Sequence, residues 1–85
     1  MEHHVKGIAN HWRIAILFLI ADNDAISLEA IADALHCNFK TTSEHARRLA
    51  HAGLIEKRYK GRSVQHSLSP YGKKFYAFLK TFQYS

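Results

Sequence analysis

Apolar residues crowd the first quarter of the chain with few polar breaks. The pattern predicts a first strong helix over residues 6–21, with Asn10 as an internal cap and a short turn over residues 3–9 before it. Its apolar positions go nearly all round: Ile8, Trp12, Ala15, Ile16 and Leu19 on one side, and Ile14, Leu17, Phe18 and Ala21 on the other. A surface helix shows a single apolar stripe. Two apolar sides call for burial on both, one by the chain's own core and one by a partner chain. The uninterrupted apolar run Ile14–Ala21 spans 8 residues, far short of the ~20 a membrane span needs.

A polar stop follows at Asp22-Asn23-Asp24. Ser27 then reads as the cap of a second helix, with Glu29 in its first turn, where an acid is favoured. Leu28, Ile31, Ala32 and Leu35 recur at helical spacing and face inward. His36-Cys37-Asn38 forms a turn, and Asn38 caps a third helix predicted from about Phe39 to Ala52. Thr42, Ala46 and Leu49 make its inner stripe, while Lys40, Thr41, Ser43, Glu44, Arg47, Arg48 and His51 populate its wet side. Gly53 ends it, since glycine adopts the left-handed turn that follows a helix.

The period then changes. Leu54–Tyr59 and Ser63–Leu68 read as two short strands joined through Lys60-Gly61, with Gly61 supplying the positive φ of a tight turn. Ile55 and Tyr59, with Val64, His66 and Leu68, take one side of the ribbon. Ser69 caps a last helix that has Pro70 at its first position. Its stripe is Tyr71, Phe75, Phe78, Leu79 and Phe82, with Tyr76 and Tyr84 beside it. That is more aromatic surface than a terminal helix leaves in water. The predicted class is mainly α with a small β-hairpin, in one domain over residues 1–85.

An 85-residue chain buries only about 60–65% of its unfolded surface, so a partner copy would help its stability. Nine of its twelve Lys and Arg residues fall in 40–74, against only Glu44 and Glu56, a local charge of +7; the remainder carries −2. Such a basic patch on a small domain is the footprint of a phosphate binder. The single Cys37 excludes an internal disulfide framework and fits a reducing cytoplasm. The N-terminus MEHHVKGIANHW lacks the apolar core of a signal peptide.

In this order and spacing the chain resembles the winged helix-turn-helix regulators of the ArsR/MarR-like superfamily of bacteria and archaea. The carriers are Ile31-Ala32 and Leu35, then Thr41, Ser43, His45 and Leu49. Ala52-Gly53-Leu54-Ile55, the wing tip Lys60-Gly61-Arg62 and Leu68-Ser69-Pro70-Tyr71-Gly72 complete the set. The resemblance covers almost the whole chain. It implies a cytoplasmic, nucleoid-associated transcriptional regulator of double-stranded DNA, in the sense of a repressor. The helix from Phe39 would enter the major groove, which carries the full base code. Lys40, Thr41, Ser43, Glu44, Arg47 and Arg48 would face bases and phosphates, and Asn38 with the first backbone amides would meet a phosphate. Arg58, Lys60 and Arg62 of the wing would follow the backbone or enter the minor groove. The first and last helices would form a two-fold dimer interface through Ile8, Trp12, Ile16, Leu19, Phe75, Phe78, Leu79 and Phe82.

Three residues depart from the family pattern, in two ways. Thr42 and Ala46 stand where relatives carry larger apolar side chains, so Phe39 is expected to fill in behind the recognition helix. Glu44 turns an acid toward the groove, either as an ion-pair partner of Arg47 or Arg48, or as an acceptor for cytosine N4.

Seven histidines invite a metal reading, yet the second helix has no cysteine and residues 71–85 hold no His, Cys, Asp or Glu. His3, His4, His11 and Cys37 show no convergent spacing, so neither a metal nor a cofactor is expected. His36, His45, His51 and His66 read as local structure or as phosphate contacts that charge near pH 6–6.5. Cys37 reads as structural, with a redox role as the weaker alternative. No phosphate loop, nucleophile elbow or catalytic acid pair occurs, so an enzyme is not expected. Two rival readings keep the fold: a protein–protein interaction module, and a non-specific architectural or RNA-binding protein. The clustered cations oppose the first. The placement of the aromatics on the outer helices opposes the RNA reading.

Overall fold

The computed structural model of the chain describes the backbone of residues 2–83 and the side chains of residues 11–82. Four helices and three strands follow in the order α1 (Glu2–Asp22), β1 (Ile26–Ser27), α2 (Leu28–Leu35), α3 (Phe39–His51), β2 (Ile55–Lys60), β3 (Ser63–Leu68) and α4 (Pro70–Gln83). This is a winged helix-turn-helix. α1 is one continuous helix from Glu2 to Asp22, so Asn10 lies inside it and not at a helix start. Backbone hydrogen bonding carries the helix past that residue without a separate turn.

Both predicted caps of the central motif form. Ser27 accepts from the Ala30 amide at 3.2 Å, and Asn38 Oδ1 accepts from the Thr41 amide at 3.0 Å. Between the two helices His36 adopts the left-handed region (φ 51°) and returns its amide to the carbonyls of Ala32 and Asp33. That compact turn fixes the angle between α2 and α3.

The sheet is antiparallel, in the order β1-β3-β2. The hairpin pairs Ile55 with Leu68, Lys57 with His66 and Tyr59 with Val64, and Gly61 takes φ 61° at its tip. β1 adds a third strand that the hydrophobic pattern does not predict: Ile26 pairs with His66 and Ser27 with Gln65. Two residues are too few to display an alternation.

The core joins Ile16, Leu17 and Ile20 of α1 to Ile31 of α2, Ala46 and Leu49 of α3 and Ile55 of β2. Thr42 is also fully buried, and its hydroxyl donates to the Asn38 carbonyl at 2.9 Å. A small side chain therefore serves the inner stripe of α3 by letting the helix sit close to the core. Phe39 does not compensate for it: the ring is 52% exposed.

The junction after the wing is pinned through Ser69. Its hydroxyl donates to the Gly53 carbonyl at 2.5 Å and accepts from the Gly72 amide at 2.9 Å, while its own amide donates to Leu54 O at 3.1 Å. The backbone of α4 approaches this turn so closely that a Cβ on Gly72 would overlap the Leu54 carbonyl oxygen. The end of α3, the root of the wing and the start of α4 thus form one rigid corner.

Candidate nucleic-acid interface

α3 presents its polar stripe to solvent. Lys40, Thr41, Glu44, Arg47, Arg48 and His51 are exposed, Ser43 is half-buried, and Asn38 is exposed at the helix start. The helical period that buries Thr42, Ala46 and Leu49 is what turns these residues outward. Asn38 is already engaged as a cap. The Thr41 amide points back to it, so that group is withdrawn from the set of amides expected to meet a phosphate.

Glu44 bridges two cations at once. Its carboxylate accepts from Arg47 Nη2 at 2.6 Å and from Arg48 Nε at 3.3 Å. The Arg47 hydrogen bond leads in holding the Glu44 carboxyl below its ordinary range, with Arg48 adding to it. The carboxylate thereby orders two guanidinium groups on the wet face. At this exposure the bridge orients side chains more than it stabilises the fold.

Arg58 and Lys60 share one face of the wing, while Lys57, opposite His66, lies on the other. Glu56, Arg58 and Lys60 alternate with the inward set and oppose Ser67, Gln65 and Ser63. Arg58, Lys60 and Arg62 are all exposed, and Tyr59, 79% exposed, stands on the opposite face near the tip. The root of the same ribbon is buried, because Ile55 enters the core.

The histidines separate by burial. His66 is 1% exposed, and its Nδ1 donates to the Ile26 carbonyl at 3.1 Å, tying β3 to β1. Burial lowers its pKa, the Ile26 bond partly opposes this, and Lys57 adds to the lowering. His45 is half-buried, and its pKa is lowered first by burial and then by the Arg13 and Arg48 charges. Neither imidazole charges as readily as the expected pH 6–6.5, and His66 is removed from any phosphate. Among the described residues no three His, Cys, Asp or Glu side chains gather to hold a metal ion; His3 and His4 lie outside the described side chains. Cys37 is a half-buried free thiol.

The residues expected at a dimer interface divide. Ile16 is 1% exposed and spent in its own core, so it offers a partner nothing. Leu19, Phe75 and Leu79 pack against that core and remain half-buried, as does Trp12 at the surface of α1. Phe78 and Phe82 are 56% and 63% exposed, their rings in edge contact at 5.0 Å. Ile8 lies outside the described side chains. The outward stripe of α1 instead holds His11, Ile14, Ala15 and Phe18, which with Leu79 and Phe82 line an apolar groove of about 380 Å³. Ile14, 42% exposed, and Phe18 are among the residues the sequence assigns to the other side of the helix. Arg13 was also missed: it lies against the C-terminal half of α3. The available signal was a lone cation within the apolar stretch of residues 12–21.

No helix among the described residues is long and apolar enough to cross a membrane. The model of the HVO_A0114 family matches residues 9–73. No curated protein sequence matches the chain significantly. Similar solved structures include a MarR transcriptional regulator from Methanosarcina mazei, at 22% identity and TM-score 0.77 over 82% of this chain and 52% of that one. FabT of Streptococcus pneumoniae, solved in complex with DNA, is similar at 18% identity and TM-score 0.79, covering 84% and 52%. Reduced HlyU from Vibrio cholerae is similar at 26% identity and TM-score 0.76, covering 92% and 82%. The chain spans about half the length of the first two.

Proposed function

Because the chain belongs to the HVO_A0114 family and shares the winged helix-turn-helix fold of MarR-type transcriptional regulators, we propose that it binds double-stranded DNA sequence-specifically and regulates transcription, as a repressor. The observation that carries this reading is the outward cationic stripe of α3, continued by the cations of the wing. In the proposed complex α3 lies in the major groove, with Lys40, Thr41, Ser43, Glu44, Arg47 and Arg48 toward bases and phosphates. Arg58, Lys60 and Arg62 then meet the flanking backbone or the minor groove. FabT, of similar fold, was solved bound to DNA, which supports the assignment of partner class. The protein acts as a homodimer through the apolar groove between α1 and α4. Its two recognition helices then read half-sites about one DNA turn apart, and occupancy of a promoter blocks transcription.

A mobility-shift titration on the DNA upstream of the protein's own gene tests this. Arg47→Ala and Arg62→Ala are each expected to weaken binding by about 5- to 50-fold and to lower the salt slope by about one. Unchanged affinity in both variants would remove α3 and the wing from the interface. Equal affinity for unrelated duplexes would favour architectural binding instead.

A further inference from the structure

Arg13 is the lone cation in residues 12–21 of α1. With Arg47, Arg48, His51 and Ala52 it lines an open cleft of about 420 Å³ between α1 and the C-terminal half of α3. Arg13 Nε is buried without a hydrogen-bond partner, and so is Nδ1 of His45. Among the described residues no ion pair reaches Arg13, and Glu44 is already shared between Arg47 and Arg48. The cleft therefore concentrates positive charge: three arginines line it, and no carboxylate is among its lining residues. Burial and the Arg13 and Arg48 charges also disfavour a proton on His45, while Glu44 opposes them. A tetrahedral oxyanion satisfies a guanidinium fork at two points.

We propose that this cleft is a phosphate-binding site in which Arg13 from α1 and Arg48 from α3 grip one phosphate group. The cleft is open and larger than a single ion, which suits a phosphodiester passing through it. α3 rises about 1.5 Å per residue, so Arg48 lies about 12 Å along the helix from Lys40. The major groove is about 12 Å wide. With Lys40 near one strand, the cleft reaches the phosphates of the other. This arm of the proposal rests on the DNA-binding reading above; a free phosphate ion has the same chemistry and is the other source.

The test follows the Arg13 Nε–H and His45 ring resonances of the whole chain by NMR, at constant ionic strength. Inorganic phosphate is one titrant and the upstream duplex is the other. Phosphate is expected to shift both resonances and to raise the His45 titration midpoint, since an anion favours the charged ring. Arg13→Gln is expected to abolish these shifts; Arg48→Gln, altering a side chain 55% exposed, serves the same purpose if Arg13→Gln fails to fold. If the phosphate belongs to the DNA backbone, either variant also weakens duplex binding by about 5- to 10-fold and lowers the salt slope by about one. Lost phosphate shifts with unchanged duplex affinity assign the site to the free ion. Resonances that neither titrant moves, or that move equally in the variants, overturn the proposal. A wild-type chain that binds no duplex sinks the functional reading alone, because the phosphate titration still decides this site.

Discussion

His66 shows how far a single residue departs from its type. Histidine in a basic segment reads as local structure or as a phosphate contact, and this ring takes the first role: it is buried and donates to the Ile26 carbonyl. Burial makes the charged form unfavourable in the folded state, so the folded pKa lies below the unfolded one. The unfolded chain then binds a proton more readily as pH falls below about 6.5. The stability from the neutral ring is complete above that pH and is lost as pH falls toward the folded pKa. The melting temperature of the wild-type chain is therefore expected to fall between pH 7 and pH 5. His66→Phe, which cannot titrate, should flatten much of that fall even while lowering stability overall. A variant with the wild-type slope would place the effect elsewhere, with His45 the next group to examine. Glu44 is the opposite case: its helical spacing predicts the ion pairs it makes with Arg47 and Arg48.

The elements were largely legible from local signals. Ser27, Asn38 and Gly53 mark helix ends because capping needs only a side chain and a few neighbouring amides. β1 was not legible, because its only support is pairing with a strand 40 residues away. The corner around Ser69 falls between these cases. Ser69-Pro70 announces a helix start, but the same serine also reaches Gly53 across the fold. Ser69→Ala leaves the Gly53 carbonyl and the Gly72 amide without this partner and is expected to cost about 1–3 kcal/mol. Gly72→Ala drives a methyl into the Leu54 carbonyl and should cost more, on the order of 3 kcal/mol, because the obstruction is backbone. Urea unfolding of both variants measures this. A Gly72→Ala chain as stable as wild type would mean that α4 is not held against the wing root.

For the molecule as a whole, the question is what covers α1 and α4. The sequence shows a helix apolar on two sides. The fold assigns Ile16, Leu17 and Ile20 to the core and leaves Ile14 beside Phe82. A second copy over that groove would remove apolar surface from water that a domain of this size can hardly leave exposed. Ile14→Asp is expected to convert a dimer into a monomer at micromolar concentration by sedimentation, with helical content retained, and to weaken duplex binding with it. A wild-type chain that sediments as a monomer would remove the dimer from the reading.

Winged helix-turn-helix order, the caps, the outward stripe of α3 and the cationic wing follow from the residues in line, because periodicity and capping act over a few positions. Which side of α1 is core, which histidine is buried, and how Arg13 comes to stand beside Arg48 are decided by packing between elements distant in the chain. No local pattern encodes those contacts, since each depends on the angle at which two helices meet.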